Sequence, residues 1–229
     1  MTRHFQLSFE IPSRLLVIAA FVLAGITFPT VSKAAILPVG GQLSPTTTPP
    51  LAEVTPVPSG NELASLAAPY AGIGFSGTLT SKVFSNDPTN PFGATGLTFT
   101  YELSNAASSV HVLHRLSASN FTGFSTDVNF GPGTGVRPHQ VDRTTADVVG
   151  FNFTETAFGG FGVIQPGTQS RLLVVHTNAT QHISSDVSLI NGGVSTVPSF
   201  SPVPEPGTWI LASIGVIGIA AFIRRIRRA

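Results

Sequence analysis

Pro204, Glu205, Pro206 and Thr208, with Arg224, Arg225, Arg227 and Arg228 at the end of the chain, are the residues whose types and spacing point most directly to chemistry. Two prolines flanking a carboxylate fix φ and disfavour helix just before each ring, so the backbone stays extended there. Sixteen uncharged residues, Thr208 to Ile223, separate this motif from the arginines. At about 1.5 Å per residue they span about 24 Å, short of the ~30 Å hydrocarbon core, which makes them a marginal membrane anchor. Trp209 suits the outer interface of such a segment and the four arginines its cytoplasmic side.

Nothing else offers a comparable constellation. Gly72-Ile73-Gly74-Phe75-Ser76-Gly77 has the letters of a dinucleotide fingerprint, but strand-forming residues follow where that motif needs a helix N-terminus. It reads as a glycine-rich strand entry. His111 and His114 would share a face only on a helix; in the strand expected there they point to opposite sides, and His139, His176 and His182 read as single surface histidines. There is no Gly-x-Ser-x-Gly elbow and no paired-carboxylate segment, so no catalytic residue is assigned. The expectation is a non-enzymatic protein with no cofactor and no metal site. With no cysteine in the chain, disulfides, zinc-thiolate sites and thiol nucleophiles are excluded. Sequons at Asn120, Asn152 and Asn178 are assigned to strand ends and turns.

Charge is concentrated at the two ends. Between residues 35 and 203, five basic residues stand against nine acidic ones, a net of −4. A mildly acidic body without a Lys/Arg cluster cannot neutralise phosphates, which excludes nucleic acid as a partner. Hydrophobic residues make up 42% of the chain and charged ones only 10%, and the apolar ends account for part of that imbalance.

The elements that must position these residues follow from composition. Residues 1–34 read as a signal peptide: a basic start through Arg14, fourteen mostly apolar residues from Leu15 to Phe28, and small side chains at Ser32 and Ala34 that place cleavage between Ala34 and Ala35. Residues 35–69, with six prolines between Pro38 and Pro58, read as an extended linker. From 70 to 200, β-branched and aromatic residues alternate with Ser, Thr and Asn, and turn formers recur. Leu97 to Leu103 alternates in strict period two, and Asn86 to Gly93 should be the loop of a hairpin. Further strands are expected over 110–118, 121–130, 148–153, 172–177 and 187–190, while no segment of the body keeps helical periodicity beyond about two turns. The reading is mainly β: about seven strands in a single antiparallel β-sandwich, jelly-roll or immunoglobulin-like, with Phe residues between the sheets. Pro and Ser return over 198–207 as a second linker, and 201–229 close the chain with the expected transmembrane helix at 208–223.

Taken together, Val203-Pro204-Glu205-Pro206-Gly207-Thr208-Trp209, the short apolar segment and the terminal arginines closely resemble the PEP-CTERM sorting signal over roughly the last 27 residues. That resemblance implies export by the general secretion machinery in a Gram-negative-type bacterium, transient membrane attachment through 208–223, and recognition by exosortase. Pro204, Glu205 and Pro206 would form the recognition motif, Thr208 would take the usual Ser/Thr place, and Arg224 to Arg228 would hold the helix during processing. It also implies a location at the cell surface or in the extracellular matrix, associated with exopolysaccharide or biofilm. Bodies vary greatly among such proteins. Two rival readings are a secreted carbohydrate-binding or carbohydrate-active enzyme bearing the same tag, and a tail-anchored protein that is never processed.

Overall fold

The computed structural model describes residues 36–153 and 161–203. The chain divides into two compact units, 1–32 and 33–229; the first lies outside the described residues, as do the expected signal cleavage at Ala34 and Ala35 and the expected membrane helix. Among the described residues no helix is long and apolar enough to cross a membrane.

The strands are β1 (Gln42–Leu43), β2 (Asn61–Gly72), β3 (Phe75–Ser85), β4 (Thr98–Asn105), β5 (Arg115–Ala118), β6 (Thr126–Phe130), β7 (Gln140–Asp142), β8 (Val149–Asn152), β9 (Leu173–Thr177), β10 (His182–Ile190) and β11 (Val194–Pro202). They form a six-stranded sheet, β1-β7-β8-β5-β10-β11, and a five-stranded sheet, β2-β3-β4-β9-β6. Every strand pairing is antiparallel. Both sheets contribute to one core, in which Phe99, Tyr101, Leu103 and Leu173 meet Leu116, Val141, Phe151 and Leu189. Burying each such side chain contributes about 1.5–3 kcal/mol.

Period two is visible where the sequence shows it: Phe99, Tyr101 and Leu103 are all buried in the core, and Asn86–Gly93 lies in the connection between the paired β3 and β4. The glycine-rich stretch is a hairpin turn. Gly72 pairs with Phe75, and Gly74 takes φ 75°, a conformation that glycine adopts without steric cost.

The two expected linkers are not free linkers. Leu37, Leu43 and Leu51 join the core, and Val54 is buried. The same segment closes the outer edge of β6: Leu37 N donates to Thr126 O (2.9 Å), Phe130 N to Ala52 O (3.2 Å) and Val54 N to Phe130 O (2.8 Å). An exposed edge invites pairing with other chains, and a proline-rich strap satisfies it without offering a new ladder. β2 takes up 61–69 as well, and its Pro69 is tolerated because β2 is an edge strand. The second linker is likewise a strand as far as Pro202, since β11 is also an edge.

Candidate functional site

The C-terminal site starts from β11. Its ladder with β10 runs from Val194 to Pro202, which pairs with His182, and Val203 N donates to Gln181 O at 3.1 Å. The edge strand is thus hydrogen-bonded up to the residue before Pro204. Pro204, Glu205, Pro206, Thr208, Arg224, Arg225, Arg227 and Arg228 lie outside the described residues.

Within the domain, the densest polar chemistry was not legible from the sequence. On β9, Leu173 and Val175 face the core, so His176 faces the opposite side. There it lies across from Thr98 on β4 and Asp127 on β6. The 86–97 loop closes over this outer surface and brings Asp87 and Thr89 to it. His176 Nδ1 meets Asp127 Oδ2 at 2.9 Å, and Nε2 meets Thr89 Oγ1 at 3.1 Å and Asp87 Oδ2 at 3.5 Å. Thr98 Oγ1 donates to Asp87 Oδ2 (2.7 Å), Thr89 N and Oγ1 donate to Asp87 Oδ1 (3.0 and 2.8 Å), and Asn129 Nδ2 donates to Asp127 Oδ2 (2.7 Å). His176, Asp87 and Asp127 are all fully buried. The surface-histidine expectation is therefore wrong for His176. One signal pointed inward: His176 closes the apolar run Leu172-Leu173-Val174-Val175.

Burial and hydrogen bonding act in opposite directions in this cluster. Burial alone would lower the His176 pKa, but the hydrogen bonds and charges of Asp127 and Asp87 outweigh it and raise the value. Burial likewise opposes ionisation of Asp87, yet hydrogen bonds from His176, Thr89 and Thr98 bring its carboxyl down to about 2. Thr89, His176 and Asp127 have the order of a nucleophile, base and orienting acid. The donors run the other way. Thr89 Oγ1 gives its proton to Asp87 Oδ1, so the hydroxyl proton is directed at a carboxylate and away from the imidazole. The arrangement fastens the loop to the sheet.

A second cluster lies on the other sheet. Arg115 Nη1 donates to Asp142 Oδ2 and Asn152 Oδ1, each at 2.5 Å, Nη2 donates to Asp142 Oδ1 at 3.0 Å, and Nε donates to Ser117 Oγ at 2.8 Å. The guanidinium lies over Gly150, where an added Cβ would meet Arg115 Nη2 at 1.9 Å. Burial opposes the charge on Asp142, and the bonds from Arg115 and Asn152 outweigh it, holding its carboxyl below the ordinary range. Arg143, 2% exposed, donates to the carbonyls of Phe121, Phe124 and Ala146 and to Thr126 Oγ1, tying together the loops around β6.

The other described histidines lie elsewhere in the domain. β5 begins at Arg115, so His111 and His114 precede it; their backbone N–H groups bond Gly74 O and Ile190 O. His139 stands edge-on to Phe161 and His182 to Phe200. Among the described residues, no group of three or more His, Cys, Asp or Glu is placed to hold a metal ion. Asn120 and Asn178 serve connections, through Asn120 Nδ2 to Ser185 and Ser201 and through Ser125 N to Asn178 Oδ1, while Asn152 belongs to the Arg115 cluster.

A two-sheet domain whose last edge strand runs into a Pro-Glu-Pro motif, an uncharged stretch and four arginines is a body joined to a sorting address. The family described as the PEP-CTERM protein-sorting motif matches residues 202–228. The chain carries that motif, which implies an exported protein that exosortase sorts through a membrane-proximal C-terminus. No curated protein and no solved structure matches the chain.

Proposed function

We propose that the protein is a non-enzymatic component of the cell surface or extracellular matrix, associated with exopolysaccharide, whose body is a β-sandwich delivered by its sorting tag. Residues 1–34 act as the signal peptide, 208–223 hold the precursor in the inner membrane, and exosortase reads Pro204, Glu205, Pro206 and Thr208. The motif at 202–228 carries this reading. The interior of the domain is in keeping with it, because the Asp87, Asp127, Asp142, Arg115, Arg143 and His176 side chains are engaged with one another or with the backbone. Against the carbohydrate-active alternative, both tyrosines of the chain, Tyr70 and Tyr101, are buried and its only tryptophan is in the tag, so neither residue type offers a stacking platform among the described residues.

Fractionation of the native host tests the proposal. The full chain should reach the outer surface or the medium with an N-terminus at or near Ala35. A chain ending at Val203 should pass the inner membrane without the tag-dependent sorting. Recovery of Met1 on the exported protein would contradict the signal-peptide assignment.

A further inference from the structure

Asn191-Gly192 is the only Asn-Gly pair in the chain, and it stands at the tip of the β10–β11 hairpin. Ile190 pairs with Val194, so Asn191, Gly192 and Gly193 make the whole connection. Asn-Gly is a favoured hairpin turn on conformational grounds alone, and Gly192, at φ 102°, uses that freedom. The same two residues can also react with each other. A backbone nitrogen that follows asparagine can attack the side-chain Cγ and close a succinimide ring, and it does so most readily where the next residue has no side chain to crowd the approach.

The hairpin tip supplies what that step needs. Gly193 N donates to Asn191 Oδ1 at 3.2 Å, which folds the side-chain carbonyl over the Gly192 peptide and makes Cγ a better electrophile. Asn191 N donates to Gly193 O at 3.1 Å and holds the loop in that shape. Gly192 is exposed, and a Cβ built on it would meet nothing within 4 Å, so water reaches the peptide freely. The other asparagines lack one or more of these conditions. Pro91 after Asn90 has no N–H with which to attack, and Phe follows Asn120, Asn129 and Asn152. The Asn105 amide is held in place, with Nδ2 donating to His111 O and Ile164 O. Asn61, Asn86 and Asn178 are exposed, but the Cβ atoms of Glu62, Asp87 and Ala179 crowd the attack on each.

We infer that Asn191 is a site of self-deamidation, with Gly192 as the attacking residue and water as the co-reactant. Gly192 N gives its proton to solvent base and bonds to Asn191 Cγ; the Cγ–Nδ2 bond then breaks, and the amide nitrogen leaves as ammonia with a proton taken from water. Water opens the ring at either carbonyl, leaving aspartate or isoaspartate at position 191. The balance is one water consumed and one ammonia released, with no change of oxidation state. Both products put a carboxylate into the segment 187–203, which carries no formal charge. Isoaspartate also routes the main chain through the side chain, which lengthens the short loop that closes the Ile190–Val194 pair, one residue from Ser195, whose Oγ donates to Ala71 O at 3.0 Å. Conversion therefore marks the age of the protein at the end of β11 opposite Pro202 and the sorting motif. It is independent of the surface-protein reading, because the reaction needs only this hairpin and water.

Peptide mapping by mass spectrometry tests it, on the folded full-length chain held in a non-ionic detergent and sampled over weeks in mildly alkaline and mildly acidic buffer. Asn191 should gain the mass of an amide-to-acid conversion ahead of every other asparagine, with both isoaspartate and aspartate present. Conversion should be faster in the alkaline buffer, since the attacking nitrogen must lose its proton. Asn191→Gln, whose longer side chain would have to close a larger ring, should lose the conversion. Gly192→Ala should slow it to the pace of Asn178, which Ala179 already follows; melting curves show that the variants compared are folded. The inference is overturned if Asn191 stays intact in the folded protein, if it converts no faster than Asn178, or if aspartate alone forms, which would mean direct hydrolysis of the side-chain amide. None of these outcomes bears on tag processing, so the site can fail while the sorting reading stands.

Discussion

The domain and the tag use polar residues in opposite ways. In the domain, Asp87, Asp127 and His176 are brought from two strands and a loop into one sealed cluster, and each of them is at most 2% exposed. Their value lies in geometry, and sequence spacing says nothing of it. In the tag, the roles proposed for Pro204, Glu205, Pro206, Thr208 and the four arginines depend on their order along the chain, and the sorting motif matches residues 202–228 on sequence alone. The contrast teaches that stability and address are separable here. A change that disturbs one should leave the other intact.

The largest stability effect should come from His176. Replacing it with Ala leaves two buried carboxylates without their cation, and breaking a buried ion pair in this way costs about 3–5 kcal/mol. Urea unfolding of the full-length protein measures the loss, and near-wild-type stability would mean that the cluster does not hold the 86–97 loop. At the other extreme, Lys82 and Glu62 are paired at 2.8 Å with side chains 39% and 42% exposed. Lys82→Ala should therefore cost no more than about 1 kcal/mol. Neither substitution should alter the reading of the tag in the protein that remains folded.

The pH dependence sharpens the same comparison. The folded pKa of His176 is raised above 6.5, so its contribution is complete below 6.5 and is lost as pH rises through the folded value. The folded pKa of Asp87 is lowered from 3.8 to about 2, so its contribution is present above 3.8 and is lost as pH falls toward 2. Asp142, lowered in the same sense, adds to the acid-side loss. Stability should peak between about pH 4 and 6.5 and decline on both sides. In His176→Ala the alkaline decline should disappear, and its persistence would assign that limb to another group.

Local pattern made part of this molecule legible. Leu97 to Leu103 alternates because Phe99, Tyr101 and Leu103 face the apolar core while Thr98 and Thr100 face the other side, where they are buried as well, and the Asn86–Gly93 turn formers announce the connection before it. β2 was hidden for a physical reason: Asn61 to Gly72 is rich in Ala, contains Pro69 and has no β-branched residue, yet at an edge it needs only one partner strand. The strap from 36 to 58 was hidden by its prolines, although Leu37, Leu43 and Leu51 were the residues a solvated linker would not require. Asp87, Asp127 and His176 meet only because β9 pairs with both β4 and β6, a register that no spacing in the chain encodes.

The central claim is that an enzyme reads Pro204, Glu205 and Pro206 as an address, beyond any role of the tail as a generic anchor. Changing all three to Ala in the native host isolates that role, because the apolar stretch and Arg224, Arg225, Arg227 and Arg228 are untouched and orientation should survive. Mass spectrometry of the mature chain gives the answer. Wild type should lose the tail and appear at the outer surface or in the medium, while the triple variant should stay membrane-bound at the full mass left after signal cleavage, with an unfolding curve unchanged from that of the equally unprocessed precursor. Equal trimming of both proteins would contradict the account.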